Sequence, residues 1–506
     1  MSSNARALFL GIDVGTQAAR VGICDRHGTL LVARSVPYGA TFPRPGWAEQ
    51  DPRDWWRSIT RASKDCLDEG SVSPDEIEGI SFDATSSTVV PVDAGGEPLG
   101  NAILWMDQRA SVEAEEIARC GHRVLRFVGG QDSAEWMVPK ALWLKRNEPD
   151  LYRTAHGILE ATDWIGFRLC GEWTASLCNA TCKSNYVSRE GGWSDDFFSA
   201  LGAAELPRKW PQRVVPMGRR IGALTGPAAR EMGLRSGIPV AEGGVDAHVG
   251  LLALNALEPS RMGLIVGSST VMFVLQEKPV FSPRLWGPYP DAILEGTWLV
   301  EAGQTSSGSI INWLVQNAQL GMARNDDDTG RFLEKLEAEV ATLPSGPSGL
   351  VMLDYWQGNR TPRRDPRAKG VIFGLTLGHD YRHLVKSAYE AIAFGTRHIM
   401  DSFRDDGIDI RMACAGGGGV RSRIWLQLTA DVCGLPISVP RSAGDCGVVG
   451  SAILAACGAG FYDSLRTAAS AMVSEERTVV PSAPRAIYDE SYRRYRELYE
   501  RTRELL

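Results

Sequence analysis

The 506-residue sequence has no C-x-x-C pair, no excess of basic charge and no apolar run long enough to cross a bilayer. Each absence removes a class of protein. The ten cysteines lie mostly within apolar patterns and only Cys178 and Cys182 are close together, so neither a zinc knuckle nor a disulfide framework is indicated and reduced core thiols are expected. Lysine and arginine number 54 against 61 acids, a net charge of −7 with the two signs interleaved, so no basic face offers counterion release to a nucleic acid. The longest uncharged stretch, residues 302–323, is too rich in Gln, Ser and Asn to span a membrane. The more apolar residues 446–462 fall short of the roughly 20 required and read as a buried helix. The opening residues lack a signal-peptide core because Asp13 interrupts the apolar run begun at Ala7, and a cytoplasmic protein is expected. What remains, 44% apolar and 23% charged, is globular composition over a length that calls for roughly two to four domains.

Residues 7–32 predict a β-meander: a strand, the turn Asp13-Val14-Gly15-Thr16-Gln17, a second strand to Cys24, a turn at 25–28 and a third strand. Its first turn can aim backbone N–H groups and the Thr16 hydroxyl at a phosphate while Asp13 holds a hydrated Mg²⁺, or it can be an ordinary hairpin. A repeat favours the phosphate loop. The run Gly263-Leu264-Ile265-Val266-Gly267-Ser268-Ser269-Thr270-Val271-Met272-Phe273-Val274-Leu275 overlays residues 11–23 without a gap, keeping both glycines and a hydroxyl-bearing turn. Two similarly built domains, 1–254 and 255–506, are therefore expected, each opening with a strand–turn–strand phosphate loop. Ile265 stands where the first copy has Asp13, so only the first loop can serve a metal.

Further along, residues 79–92 read as strand, polar turn (Asp83-Ala84-Thr85-Ser86-Ser87) and strand, 125–145 carry helix-spaced apolar residues, and 171–187 form a polar, Cys-containing excursion. The second half alternates strands and helices: a strand at 411–415, a glycine run at 416–419, a helix over 422–433 ended by Gly434, a strand at 436–439 and a charged amphipathic helix from 488 to 506.

Three short constellations carry chemistry. Gly243-Gly244-Val245-Asp246-Ala247-His248 places an acid after a glycine pair and before an apolar helical run, either as a helix cap or as a general base, while His248 reads as structural because no second histidine sits at ligand spacing. Ala415-Gly416-Gly417-Gly418-Gly419 lets backbone approach a flat ligand or phosphate, yet it is neither a G-x-G-x-x-G fingerprint nor a P-loop, so both of those chemistries lose support. Glu301-Ala302-Gly303-Gln304, followed by Thr305, Ser306 and Ser307, sets a carboxylate at a strand end beside hydroxyls, which suits a polyol or sugar. Fifteen tryptophans add aromatic faces of the kind that stack on sugar rings, though most must be core.

Together these residues resemble the FGGY carbohydrate kinases of the actin/hexokinase/Hsp70 superfamily. Gly11-Ile12-Asp13-Val14-Gly15-Thr16 looks like that family's first phosphate loop, and Gly244-Val245-Asp246-Ala247-His248 looks like its catalytic-aspartate segment. Gly370-Val371-Ile372-Phe373-Gly374-Leu375, then seven residues, then His383-Leu384-Val385-Lys386-Ser387-Ala388-Tyr389-Glu390 is similar to its C-terminal signature throughout. Its N-terminal signature is degraded: around Met137-Val138-Pro139-Lys140-Ala141-Leu142-Trp143, Lys140 and Trp143 keep the spacing while Pro139 is displaced and Ala141 is small. Within the family the chain looks most like the ribulokinase group, through Asp83-Ala84-Thr85-Ser86-Ser87-Thr88-Val89-Val90-Pro91-Val92 and the Glu301-Ala302-Gly303-Gln304 run.

The resemblance implies an α/β protein of two actin-like (ribonuclease H-like) domains with an interdomain active-site cleft. It implies ATP and Mg²⁺ as cofactors and phosphorylation of a ketopentose, ribulose, on its terminal hydroxyl. By the same resemblance Asp246 is the general base and, with Ser86, Lys183 and Glu301, binds the sugar. Gly15, Thr16, Gln17, Gly267, Ser268, Ser269, Thr270, Gly303, Gly417 and Gly418 surround the nucleotide, and Asp13 serves the metal. The partners expected are a small-molecule sugar and ATP, with neither nucleic acid nor membrane; a homodimer is compatible with the chain, whose sequence does not give its oligomeric state. The alternatives are another sugar or polyol (xylulose, erythritol or ribitol) and, further off, a substrate-independent ATPase of the actin or Hsp70 kind. Residues Trp105-Met106-Asp107-Gln108-Arg109 take the place of a variable substrate loop and yield no specificity.

Overall fold

The computed structural model describes residues 6–317 and 326–505, with the backbone alone over 326–332. These residues form two compact units. One comprises Met1–Leu257, Gln276–Val300 and Asp445–Ser474; the other comprises Glu258–Leu275, Glu301–Gly444 and Glu475–Leu506. The chain changes unit after Leu257, Leu275, Val300, Gly444 and Ser474, where the sequence suggests a single division at 254.

The first unit is built on a mixed sheet in the order Arg220–Ala223, Pro239–Ala241, Ile77–Ala84, Leu8–Val14, Ala18–Asp25, Leu30–Pro37, with Gly244–Val245 also paired to Ile77–Ala84. The predicted meander forms its antiparallel half. Leu8–Val14 then pairs in parallel with Ile77–Ala84, so it is buried on both faces and reads as an unbroken apolar run.

The helix Cys446–Gly458 explains why the chain returns to this unit after Gly444. It is apolar on every side and lies on the sheet, as a helix buried all round must. Two glycines let it down onto the strands: a Cβ at Gly11 would come 2.1 Å from the Val448 carbonyl oxygen, and one at Gly79 would come 2.6 Å from that of Ala455.

Two local expectations change. Residues 125–145 are not one helix: Arg123–Val128 is a 3₁₀ turn, Gly129 and Gly130 take positive φ, and the α-helix runs only over Met137–Asn147. The segment 171–187 is no polar excursion either. It folds into the strand Thr174–Ser176 and the helix Leu177–Lys183, every residue of which is buried, and the Ser176 hydroxyl donates to the Gly243 carbonyl at 2.8 Å.

The second unit has the strand order Trp298–Gln304 (from Glu301 onward in this unit), Thr270–Gln276, Arg261–Val266, Met412–Gly416, Ile437–Pro440, Glu475–Val479. Arg261–Val266 again has an antiparallel partner on one side and a parallel one, Met412–Gly416, on the other. The repeat is therefore structural, with one difference after the turn. Val14 pairs with Ala19 whereas Val266 pairs with Thr270, so the second loop is a residue shorter although the two sequences align without a gap. The helix Arg423–Cys433 starts on the Ser422 side-chain cap and stops at Gly434, whose φ of 64° ends it in the left-handed region. It packs against the long helix Tyr381–Asp405. Of the uncharged stretch 302–323, residues 318–323 lie outside the described residues, as do residues 1–5 at the start and Leu506 of the terminal helix. Among the described residues no helix is long and apolar enough to cross a membrane.

Candidate functional site

In the first unit three carboxylates arrive at one end of the sheet. Asp13 is the register partner of Asp83 in the parallel pair, and Gly244 pairs with Asp83 from the other side. Asp246 follows two residues later as the first residue of the helix Asp246–Ala253. Asp83 accepts from Ser451 Oγ at 2.9 Å; Asp246 accepts from the Ala247 N–H at 2.7 Å.

Electrostatics follow from this crowding. Burial, then the Asp13 and Asp246 charges, push Asp83 well above the carboxylate range. Burial also raises Asp13, with Arg20 opposing. Asp246 is pushed up to about 6, by burial first and Asp13 second. Access to Asp13 depends on Gly447, where a Cβ would lie 2.8 Å from the Asp13 carboxyl carbon. Asp83 stands in a quoted motif without a role assigned to it; its signal is that it closes an apolar strand just as Asp13 does.

The first loop is held by side chains from three other segments. The Tyr38 hydroxyl donates to the Gly15 carbonyl, Gln50 Nε2 to the Thr16 carbonyl at 2.7 Å, and Trp105 Nε1 to Thr16 Oγ1 at 2.9 Å. Gln17 is exposed. The Trp105 loop, which the sequence leaves without a role, is thus tied to the turn at Gly15 and Thr16.

Around the polar turn after Asp83, Lys140 Nζ donates to the carbonyls of Ser87 at 2.6 Å and Leu104 at 2.7 Å, and burial lowers it to about 7. Ser87 takes a φ of 60° and its N–H donates to Glu160 at 2.7 Å. The adjacent Ser86 Oγ is buried with no hydrogen-bond partner among the described residues, an acceptor and donor left for something else. Lys183 ends its helix with only 7% of the residue exposed, and its ammonium sits 4.9 Å from the Trp136 ring centre and 5.7 Å from that of Tyr289. A cation between two aromatic faces is not a solvated lysine.

His248 departs from the reading as an isolated structural histidine. The fold brings it to Cys178 and Cys182, with Cys178 Sγ 3.2 Å from His248 Nδ1. None of the ten cysteines is in a disulfide.

In the second unit the expected nucleotide residues separate into two groups. Gly267, Ser268 and Gly418 line a cavity of about 680 Å³ together with Asn312, Tyr389 and Trp425. The register makes this junction: Ile265 pairs with Gly416, which sets the glycine run beside the second loop. Ser269, Thr270, Gly303 and Gly417 are not among the lining residues. Thr270 Oγ1 donates to Ser307 at 3.0 Å, and a Cβ at Gly303 would come 2.9 Å from the Thr270 carbonyl oxygen. Gly417, at φ 88°, would set a Cβ 2.5 Å from the Val266 carbonyl oxygen. These two glycines permit close backbone packing. Asn312, Tyr389 and Trp425 come from three separate helices, so no local motif announces them. Glu301 is buried and paired with Arg360 Nη2 at 3.0 Å, a partner the sequence did not suggest. Gln304 is committed to Asp354, Ile392 and Thr396.

Comparison with known proteins adds to this geometry. Residues 8–253 match the model of the N-terminal domain of the FGGY family of carbohydrate kinases, and residues 262–459 match that of its C-terminal domain. An FGGY carbohydrate kinase domain-containing protein of Xenopus laevis is 32% identical, over 98% of this chain and 97% of its own. A ribulokinase of Bacillus licheniformis is 31% identical, over 98% of this chain and 94% of its own. The crystal structure of xylulose kinase from Rhodospirillum rubrum superposes with a TM-score of 0.82 at 26% identity, over 98% of this chain and 99% of that one.

Proposed function

Because this chain belongs to the FGGY family of carbohydrate kinases and is itself a carbohydrate kinase, we propose that its substrate is ribulose and that it transfers the γ-phosphoryl group of ATP to the sugar's terminal hydroxyl. The observation that carries the mechanism is the Asp246 carboxylate, which stands beside Asp13 with its affinity for a proton raised to about 6. An alcohol is scarcely ionised near neutral pH. A positioned base that is mostly deprotonated at pH 7, yet basic enough to accept a proton, suits its attack on phosphorus. Asp246 takes the hydroxyl proton as the oxygen attacks in line. The Thr16 hydroxyl and the backbone N–H groups of Thr16 and Gln17 donate to the charge that builds on the phosphoryl oxygens. The cavity lined by Gly267, Ser268 and Gly418 takes the nucleotide.

Asp13 and Asp83, register partners at the ends of their strands, are oxygen donors of the kind a hard divalent cation takes. They are the residues that would hold Mg²⁺, and such an ion, when bound, neutralises phosphate charge. On the sugar side Lys183 donates to the ketose oxygens, Ser86 Oγ finds there the partner it lacks, and Glu301, oriented by Arg360, accepts from a hydroxyl. The ribulokinase relative supports ribulose over a polyol.

A coupled assay of ADP release over D- and L-ribulose, xylulose, erythritol, ribitol and a sugar-free control tests this. The expected result is the highest kcat/KM for a ribulose. A higher value for xylulose or a polyol would reassign the substrate within the family, and equal ADP release without any sugar would replace this reading with an ATPase.

A further inference from the structure

Cys178 and Cys182 lie four residues apart on the helix Leu177–Lys183, a spacing that stacks their side chains on one face. That face meets His248 on the helix Asp246–Ala253. Cys178 Sγ is 3.2 Å and Cys182 Sγ 3.9 Å from His248 Nδ1, and the three atoms all lie within 4.8 Å of one another. Both cysteines are 0% exposed and His248 is 1% exposed. We propose that Cys178, Cys182 and His248 form a binding site for a thiophilic divalent cation of the zinc class, separate from the carboxylate site proposed for Mg²⁺.

Geometry, donor chemistry and charge each support this. Bond lengths of about 2.3 Å to sulfur and 2.0–2.1 Å to nitrogen at tetrahedral angles place ligand atoms about 3.6–3.8 Å apart. The two observed S···N separations, 3.2 and 3.9 Å, bracket that spacing, and the two sulfurs lie within 4.8 Å of each other, so side-chain adjustment brings the three donors to the ion. Thiolate and imidazole are the donors zinc selects, whereas the Asp13 and Asp83 oxygens select a harder ion, so the two sites do not compete for one metal. Each thiol gives its proton to solvent as the metal binds, and the two negative charges on sulfur cancel the two positive charges of the ion. A neutral cluster is what a fully buried site tolerates. Three protein donors leave the fourth tetrahedral position to a water molecule. The consequence is mechanical: the ion would tie the helix that ends at Lys183 to the helix that begins at Asp246. That consequence alone rests on the kinase reading, and occupancy of the site does not.

Occupancy is measured without sugar or nucleotide, so its failure is distinct from failure of the kinase reading. The full chain, without an affinity tag that binds metal, is reduced, loaded with Zn²⁺, dialysed against metal-free buffer and analysed by elemental mass spectrometry. About one zinc per chain is expected. Loading with Co²⁺ instead should give the near-ultraviolet thiolate-to-cobalt charge-transfer band and the intense visible bands of a tetrahedral ion. Cys178→Ser and Cys182→Ser should each lose the metal, while Cys120→Ser, at an exposed thiol elsewhere, should keep it. Absence of the charge-transfer band in the unmutated protein overturns the proposal, whether or not the variants fold. So does zinc retained at wild-type stoichiometry by folded Cys178→Ser.

Discussion

Asp83 and Asp13 are register partners across a parallel strand pair, Leu8–Val14 against Ile77–Ala84. Seventy residues of chain separate them, and neither is preceded by a motif that names the other. The pairing exists because Leu8–Val14 and Ile77–Ala84 run side by side and end together, and it draws Asp246 in from the neighbouring strand Gly244–Val245. The chemistry proposed for this chain depends on that convergence, and four further expectations follow from its surroundings.

Asp246→Asn keeps the size of the side chain and removes the proton acceptor. Turnover should fall about 10²- to 10⁴-fold with nucleotide affinity little changed. With Asp246 raised to about 6, wild-type kcat/KM should decline as pH drops through about 6 and the base becomes protonated, and this limb should be missing from the variant's residual activity. Steady-state kinetics across that range check both points; near-normal turnover in the variant would remove Asp246 from the role.

Lys183→Ala deletes an ammonium held against Trp136 and Tyr289. A ketose offers that ammonium a carbonyl oxygen and a polyol does not, so ribulose turnover should suffer more than ribitol turnover. The preference, measured as the ratio of the two kcat/KM values, should shrink by about 5- to 100-fold, equivalent to about 1–3 kcal/mol. An unchanged ratio would detach Lys183 from the sugar.

Two adjacent glycines should respond in opposite ways. At Gly418 an added Cβ meets nothing closer than Arg421 Nη2 at 3.7 Å, so Gly418→Leu should fold normally, fill part of the cavity and raise KM for ATP about tenfold or more. At Gly417, φ 88° and the Val266 carbonyl 2.5 Å away leave no room for a side chain, so Gly417→Ala should lower Tm. Thermal melts and ATP titrations of the two variants separate an occluded cavity from a strained backbone.

Glu242 is fully buried and pushed up to about 8 from an ordinary 4.5, chiefly by burial and then by the Asp163 charge. Between those values the native state keeps a proton that the unfolded chain releases, so this group makes stability fall as pH rises from about 4.5 to about 8, and level off above. Glu242→Gln removes the titration. The Tm difference between about pH 5 and about pH 8 should therefore be smaller in the variant, and an identical difference would show that Glu242 ionises freely.

Local features were legible in the sequence because short-range physics decides them. The meander over residues 8–37 follows from apolar runs broken by turns, the helix ending at Gly434 from a glycine in the left-handed region, and the buried helix after Gly444 from an unbroken apolar run. The repeated strand–turn–strand was legible for the same reason, since both copies are hairpins whose turns carry their own glycines.

Tertiary structure alone decided what those elements meet. Parallel pairing is non-local, so nothing in residues 8–14 announces that residues 77–84 will bring Asp83 to Asp13. The path of the chain between units is equally hidden, because the helix Cys446–Gly458 returns to the first sheet only where Gly11 and Gly79 admit it. His248 looked isolated since its neighbours in space, Cys178 and Cys182, lie on a helix whose burial the polar composition of 171–187 concealed. The partner of Glu301 was hidden from the sequence because Arg360 reaches it from beyond its own strand. Composition and periodicity report which residues leave water; which of them then touch is set by strand register and helix packing, and that is where the chemistry of this protein was decided.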